Sequence, residues 1–111
     1  MMIKTRVYSK YSRTATELLG KSIQLARKEH KWSEHALAER VGISRGTLVK
    51  IEKGDLRCEI GLVFELASIV GIKLFDADET RLTQLIVQSD EKIALLPRRV
   101  RTLEVLVDDD F

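Results

Sequence analysis

Apolar positions recur every third or fourth residue along most of this chain, and the recurrence breaks at glycines and short polar runs. That is the signature of successive amphipathic helices. The most informative break falls inside residues 33–54, SEHALAERVGISRGTLVKIEKG. Leu37, Ala38 and Val41 share one helical face, Leu48 and Ile51 share another, and Gly42-Ile43-Ser44 lies between them. Ser33 and Ser44 each stand just ahead of an apolar-periodic run, where a hydroxyl accepts a hydrogen bond from an otherwise unpaired first-turn amide. Gly42 permits the positive φ of a sharp helix stop. Ala38 is small where two helices would cross, and Ile43 is an apolar plug for the corner. The spacing therefore predicts helices over 34–41 and 45–53, with Gly54 stopping the second.

Two short helices meeting at a tight turn form a helix-turn-helix. Around it, Thr14 with Glu17 reads as a capping box, so a first helix is predicted over 14–29 with Leu18, Leu19, Ile23 and Ala26 as its buried stripe. Trp32 is expected in the core between the first two helices. A fourth helix is predicted over 60–70, carrying Val63, Leu66, Ala67 and Val70 and ending at Gly71; Ile72, Leu74 and Phe75 close the core or begin a subunit contact. Asp76 with Glu79 repeats the capping signature and predicts a fifth helix over 77–95, with Leu82, Leu85, Ile86, Ile93 and Leu96 as its stripe. After Pro97, the alternation of Leu103, Val105 and Val107 reads either as a strand, pairing with its own copy or with residues 3–8, or as a tail disordered until bound.

Composition narrows the class without changing this picture. A chain of 111 residues hides roughly two-thirds of its unfolded surface and folds around one core. A single proline and few aromatics, among many Leu, Ile, Val, Ala, Lys, Arg and Glu, argue for an all-α protein. Cys58 is the one cysteine and reads as an inert thiol. No signal-peptide pattern and no apolar run of membrane-spanning length occurs, so a soluble, cytoplasmic protein with no membrane partner is expected. His30 and His35 do not share a helix face, and no cysteine or carboxylate falls at a ligand spacing with them. Neither a metal nor a cofactor is expected. No nucleophile with a base and no carboxylate cluster appears, so the chain is not expected to be an enzyme.

Charge does change the picture. Residues 1–57 carry 13 Lys and Arg against 6 Asp and Glu, a net +7, whereas residues 58–111 carry 6 against 11, a net −5. A basic half that coincides with a groove-sized helix is the electrostatic footprint of a protein that binds double-stranded DNA.

The linked pattern Ala38, Gly42, Ile43, Ser44, Leu48, Ile51, Glu52 and Gly54 resembles the DNA-binding unit of the Xre/Cro family of repressors, over residues 19–74. The resemblance implies a lambda-repressor-like five-helix fold. From the residues themselves the chain is expected to divide into an N-terminal extension over 1–13, either ordered or a frayed terminus, the helix-turn-helix domain over 14–75, an additional helix over 76–96 and a C-terminal interaction tail over 97–111. The resemblance also implies that Arg27 pairs with Glu52 as a structural ion pair rather than a DNA contact. The second helix would cross the DNA backbone, with Ser33 and Glu34 at its start near a phosphate. Glu34 departs from the amide or small polar residue common there, since a carboxylate suits the helix dipole but repels phosphate. The third helix would be the recognition helix, with Leu48 and Ile51 turned to the core. Ser44 caps it, Arg45 and Lys50 would read bases, Gly46 would permit close approach, and Thr47 would serve a phosphate or a thymine methyl. Lys53 and Arg57 would bind phosphate.

A narrower likeness runs through Leu19-Gly20-Lys21, LARKEHKW, ISRGTLVKIEKGD, IGLVFELASIVGI and the terminal DDDF, which are similar to HipB-like antitoxins. This implies a bacterial homodimer, nucleoid-associated when DNA-bound, that represses its own operon at palindromic operators and binds a HipA-like kinase toxin. A stand-alone Xre-family regulator without a toxin partner is the alternative. The fifth helix is either extra cover for the core or a dimer seam; the seam is expected, because two-fold symmetric sites need two recognition helices about 34–36 Å apart.

Overall fold

A computed structural model describes residues 6–98. Its elements are α1 (Lys10–Glu29), α2 (Glu34–Val41), α3 (Arg45–Glu52), α4 (Ile60–Val70) and α5 (Glu79–Ala94), and no strand occurs among the described residues. The architecture is the expected all-α, five-helix one. One compact unit ends at Leu74 and a second begins at Phe75. Residues 1–5 and everything from Arg99 onward, including the expected strand at Leu103, Val105 and Val107, lie outside the described residues.

In the first unit α1 packs on α3 and α4, and α2 packs on the same two helices. The core sits where they meet. Ile23, Leu37, Leu48 and Leu66, one from each helix, are fully buried, with Ala38, Ile51, Ala67 and Val70 around them. Half-buried Leu19, Ala26, Val41, Ile43 and Ile72 close the margin. Ile43 thus packs against the core from the turn, and Ala38, at 3% exposure, is buried within that core.

Local signals set most of the helix ends. Ser33 Oγ accepts from the Ala36 amide at 3.0 Å, and Ser44 Oγ accepts from the Thr47 amide at 3.0 Å. Gly42 ends α2 in the left-handed region at φ 82, which lets its own amide and that of Ile43 both donate to the Ala38 carbonyl.

Three expectations require correction. The first helix begins at Lys10, not after Thr14: Ser9 is the extended N-cap residue, its Oγ accepting from the Ser12 amide at 3.1 Å. Arg13 Nη1 also donates to the Tyr8 carbonyl at 2.6 Å. Thr14 and Glu17 therefore lie inside a continuous helix, and their spacing marks no end. Leu18 is 66% exposed, because the buried stripe of α1 runs through Leu19, Gly20, Ile23, Ala26 and Arg27 and leaves it on the far side. The fifth helix begins at Glu79 with Asp78 as its cap, Oδ1 accepting from the Arg81 amide at 2.9 Å. Asp76 sits at φ 52, so it lacks the extended backbone of an N-cap. No residue of α5 is buried, and Ile86 and Ile93 are exposed.

Trp32 is half-buried rather than fully enclosed. One face stacks on His30, with ring centroids 4.3 Å apart, and the Arg40 guanidinium lies 4.4 Å from the ring centroid. His30 Nε2 donates to the Val70 carbonyl at 3.1 Å. The imidazole therefore ties the end of α1 to the end of α4.

Candidate nucleic-acid interface

An eight-residue helix is too short to hold its own orientation in water, so what fixes α3 decides what its outer face presents. Three contacts fix it from behind. Leu48 and Ile51 enter the core. The Arg27 guanidinium, on α1, meets the Glu52 carboxylate through two bonds, Nε to Oε2 at 2.7 Å and Nη2 to Oε1 at 3.1 Å. Its Nη1 donates to the Trp32 carbonyl at 2.9 Å. Both side chains are almost wholly buried, at 6% and 3% exposure. The hydrogen bond to Glu52 holds the Arg27 guanidinium above its ordinary pKa despite the desolvation of burial.

The third contact was not legible as such. Gly20 is buried in α1 against the end of α3, where a Cβ would lie 2.6 Å from the Ile51 and Glu52 carbonyl oxygens. Backbone meets backbone there, which only glycine allows. Within the sequence, Gly20 shows as a glycine in a helical stretch and no more.

The other face of α3 is open. Arg45, Gly46, Lys50 and Lys53 are exposed, as are Ser33, Ser44 and Arg57, while Glu34, Thr47 and Val49 are half-buried. A Cβ at Gly46 would meet nothing closer than Ser44 Oγ at 3.8 Å, so its lack of a side chain answers to no contact within the described residues. Ser44 Oγ and Thr47 Oγ1 are 3.0 Å apart.

The structure brings some of the expected site residues into two separate hollows. Thr47, Lys50 and Arg57 line an open groove together with Asp55, Cys58, Glu59 and Leu62. Lys53 instead lines a smaller cleft with Glu17, Lys21, Gln24, Glu34, Val49 and Glu52. Two carboxylates pair with cations of the expected site: Asp55, which the sequence reading did not name, and Glu34, which it set near a phosphate. Asp55 Oδ1 accepts from the Arg57 amide at 2.8 Å and lies 3.7 Å from Arg57 Nε, which holds that arginine near the end of the helix. Arg45 Nε donates to Glu34 Oε1 at 2.9 Å. Glu34 is thus a partner of Arg45, set at the start of α2.

Cys58 is half-buried at the groove wall. Burial pushes its thiol up from the usual value, with Asp55 adding to the rise and Lys50 and Arg57 opposing it. Among the described residues no group of three or more His, Cys, Asp or Glu is placed to hold a metal ion, and no helix is long and apolar enough to cross a membrane.

Two short helices locked at a glycine turn, the second presenting a basic face while its back is buried, define a helix-turn-helix protein. Comparison with known proteins agrees: the helix-turn-helix family matches residues 23–76, a span that includes Ser33 through Arg57. Over 47 residues the chain is 36% identical to an uncharacterized HTH-type transcriptional regulator of Methanocaldococcus jannaschii, a match covering 42% of this chain and 71% of that protein. No solved structure matches. The chain belongs to the helix-turn-helix family.

Proposed function

We propose that this helix-turn-helix protein is a sequence-specific transcriptional repressor acting as a HipB-like antitoxin. On this reading a cytoplasmic homodimer binds operators in front of its own operon and also binds a HipA-like kinase toxin. The DNA-binding part rests on one observation above all: α3 is anchored from behind by Leu48, Ile51 and the Arg27–Glu52 pair while Arg45, Lys50 and Lys53 stand exposed in front. A rigidly held helix with a basic outer face is what a major groove receives. Arg45 and Lys50 read base edges, Thr47 and Gly46 lie against the strand, and Lys53 and Arg57 neutralise phosphates. The homodimer reading draws on α5, whose exposed Ile86, Val87 and Ile93 suit a subunit seam. The antitoxin reading rests on the likeness of the quoted segments to HipB-like proteins.

Quantitative binding to the chain's own promoter at two salt concentrations tests the first part. Arg45→Ala relaxes preference at one base pair, whereas Lys53→Ala weakens binding to all sequences and shallows the log–log salt slope by about one. Wild-type binding by both variants removes α3 from the role of reader. For the toxin, deleting residues 97–111 leaves DNA binding in place and alters co-purification with a kinase encoded next to the chain. A stand-alone regulator shows no such partner.

A further inference from the structure

Glu34 and Arg45 open successive helices and meet across the turn, with Arg45 Nε donating to Glu34 Oε1 at 2.9 Å. The two ends of this bond are unlike. Glu34 is the sheltered end at 28% side-chain exposure and Arg45 the open one at 69%. An exposed ion pair of this kind adds little to folding stability, because solvent screens it and ordering two side chains offsets the attraction. Its effect is on direction. A guanidinium carries five N–H donors in one rigid plane. Engaging Nε leaves the far edge, made of Nη1 and Nη2, unused on a side chain that is mostly exposed, and among the described residues neither Nη atom has a hydrogen-bond or ion-pair partner. That edge is the one that matches the O6 and N7 acceptors of guanine in the major groove. A free arginine at the start of a helix loses rotamer freedom when it docks, and one already tied at Nε has lost part of it beforehand.

On the reading of α3 as the DNA-contacting helix, we infer that Glu34 is a positioning residue: it touches no DNA, and it holds Arg45 end-on toward a guanine, so that the chain's preference for one G·C pair depends on a carboxylate in α2. The placement also explains a carboxylate in the first turn of α2, where it would otherwise only repel phosphate. Its charge is engaged by Arg45, more weakly by the Arg27 guanidinium, and by the amide dipoles of the helix it begins.

The test uses the full chain and the duplex that the wild-type protein enriches from a randomised library. At the base pair whose preference Arg45→Ala abolishes, the wild-type ratio of dissociation constants between substituted and preferred sequence falls in the range of about 5 to 150. Glu34→Ala lowers that ratio by about threefold or more while binding to a random duplex holds or tightens, since a negative charge near phosphate is gone. Glu34→Gln lies between, because its amide oxygen still accepts from Nε. In the Arg45→Ala background, Glu34→Ala changes discrimination no further. The inference is overturned by an unchanged ratio in Glu34→Ala, by equal losses on preferred and random DNA, by the same loss with Arg45 absent, or by an Arg45→Ala variant that keeps every base preference. A wild-type protein that enriches no duplex overturns the DNA-binding reading itself, which is a different result from any of these.

Discussion

The substitution Gly20→Ala is the most direct probe of how α3 is seated. A methyl group there would lie 2.6 Å from two carbonyl oxygens and 2.9 Å from the Glu52 carbonyl carbon, against an ordinary contact distance of 3.4 Å or more. The shortfall, 3.4 less 2.6, is about 0.8 Å, and it faces backbone on both sides, so no side chain can swing away to absorb it. Forcing an extra methyl into a packed contact costs about 1–3 kcal/mol, and rigid obstacles place this site at about 3, the upper end of that range. Alanine returns about 1 kcal/mol through its better helix propensity, leaving a net loss of about 2. For a domain of this size that corresponds to a fall in Tm of about 8–16 °C. Gly46→Ala makes the same chemical change on α3 where space is open, the nearest atom being Ser44 Oγ at 3.8 Å, and it raises stability by about 0.5–1 kcal/mol. Thermal unfolding followed by helical circular dichroism reads both. If the two substitutions shift Tm in the same direction, α1 and α3 do not touch at Gly20.

Two further outcomes follow from buried groups. Arg27→Met or Glu52→Leu alone strands a charge that is almost fully enclosed and costs about 3–5 kcal/mol in urea unfolding, while the double variant recovers most of that loss. Singles costing under about 1 kcal/mol would mean the pair is solvated. Because burial and Asp55 raise the Cys58 pKa, less thiolate is present at any given pH than in the unfolded chain. Alkylation by iodoacetamide between pH 7 and 9 is therefore slower in the native protein than in urea, and Asp55→Asn speeds it. Equal rates with and without urea would contradict the assignment.

Much of the fold was legible because its signals are local. The hydroxyls of Ser33 and Ser44 and the backbone freedom of Gly42 act within a few residues of themselves, so the bounds of α2 and the start of α3 match the sequence reading. The buried Arg27–Glu52 pair came from family likeness, and the geometry places the two carboxylate oxygens on the guanidinium as that likeness implies. Misreadings arose where two candidates of one chemistry stand close together. Ser9 and Thr14 both carry a hydroxyl, and Asp76 and Asp78 both carry a carboxylate; the cap is whichever residue has extended backbone, which the rest of the chain decides. The contacts of Gly20 with α3 and of Glu34 with Arg45 join residues that no periodicity links, since they depend on how the helices cross.

The arrangement separates two kinds of residue on one short helix. Leu48, Ile51 and Glu52, with Gly20 and Arg27 behind them, set where α3 lies; Arg45, Lys50 and Lys53 set what it presents. Damage behind the helix changes the population of correctly seated molecules, and a change of population lowers affinity for every DNA sequence by the same factor. Damage in front alters particular contacts and changes affinity for some sequences more than others. Glu34 is the instructive intermediate: it lies outside the core and bonds the reading face at Arg45, so its loss belongs with the second kind. A Gly20→Ala variant that altered base preference while Glu34→Ala reduced all binding uniformly would invert this division, and with it the idea that α3 is a rigid carrier for an independently tuned surface.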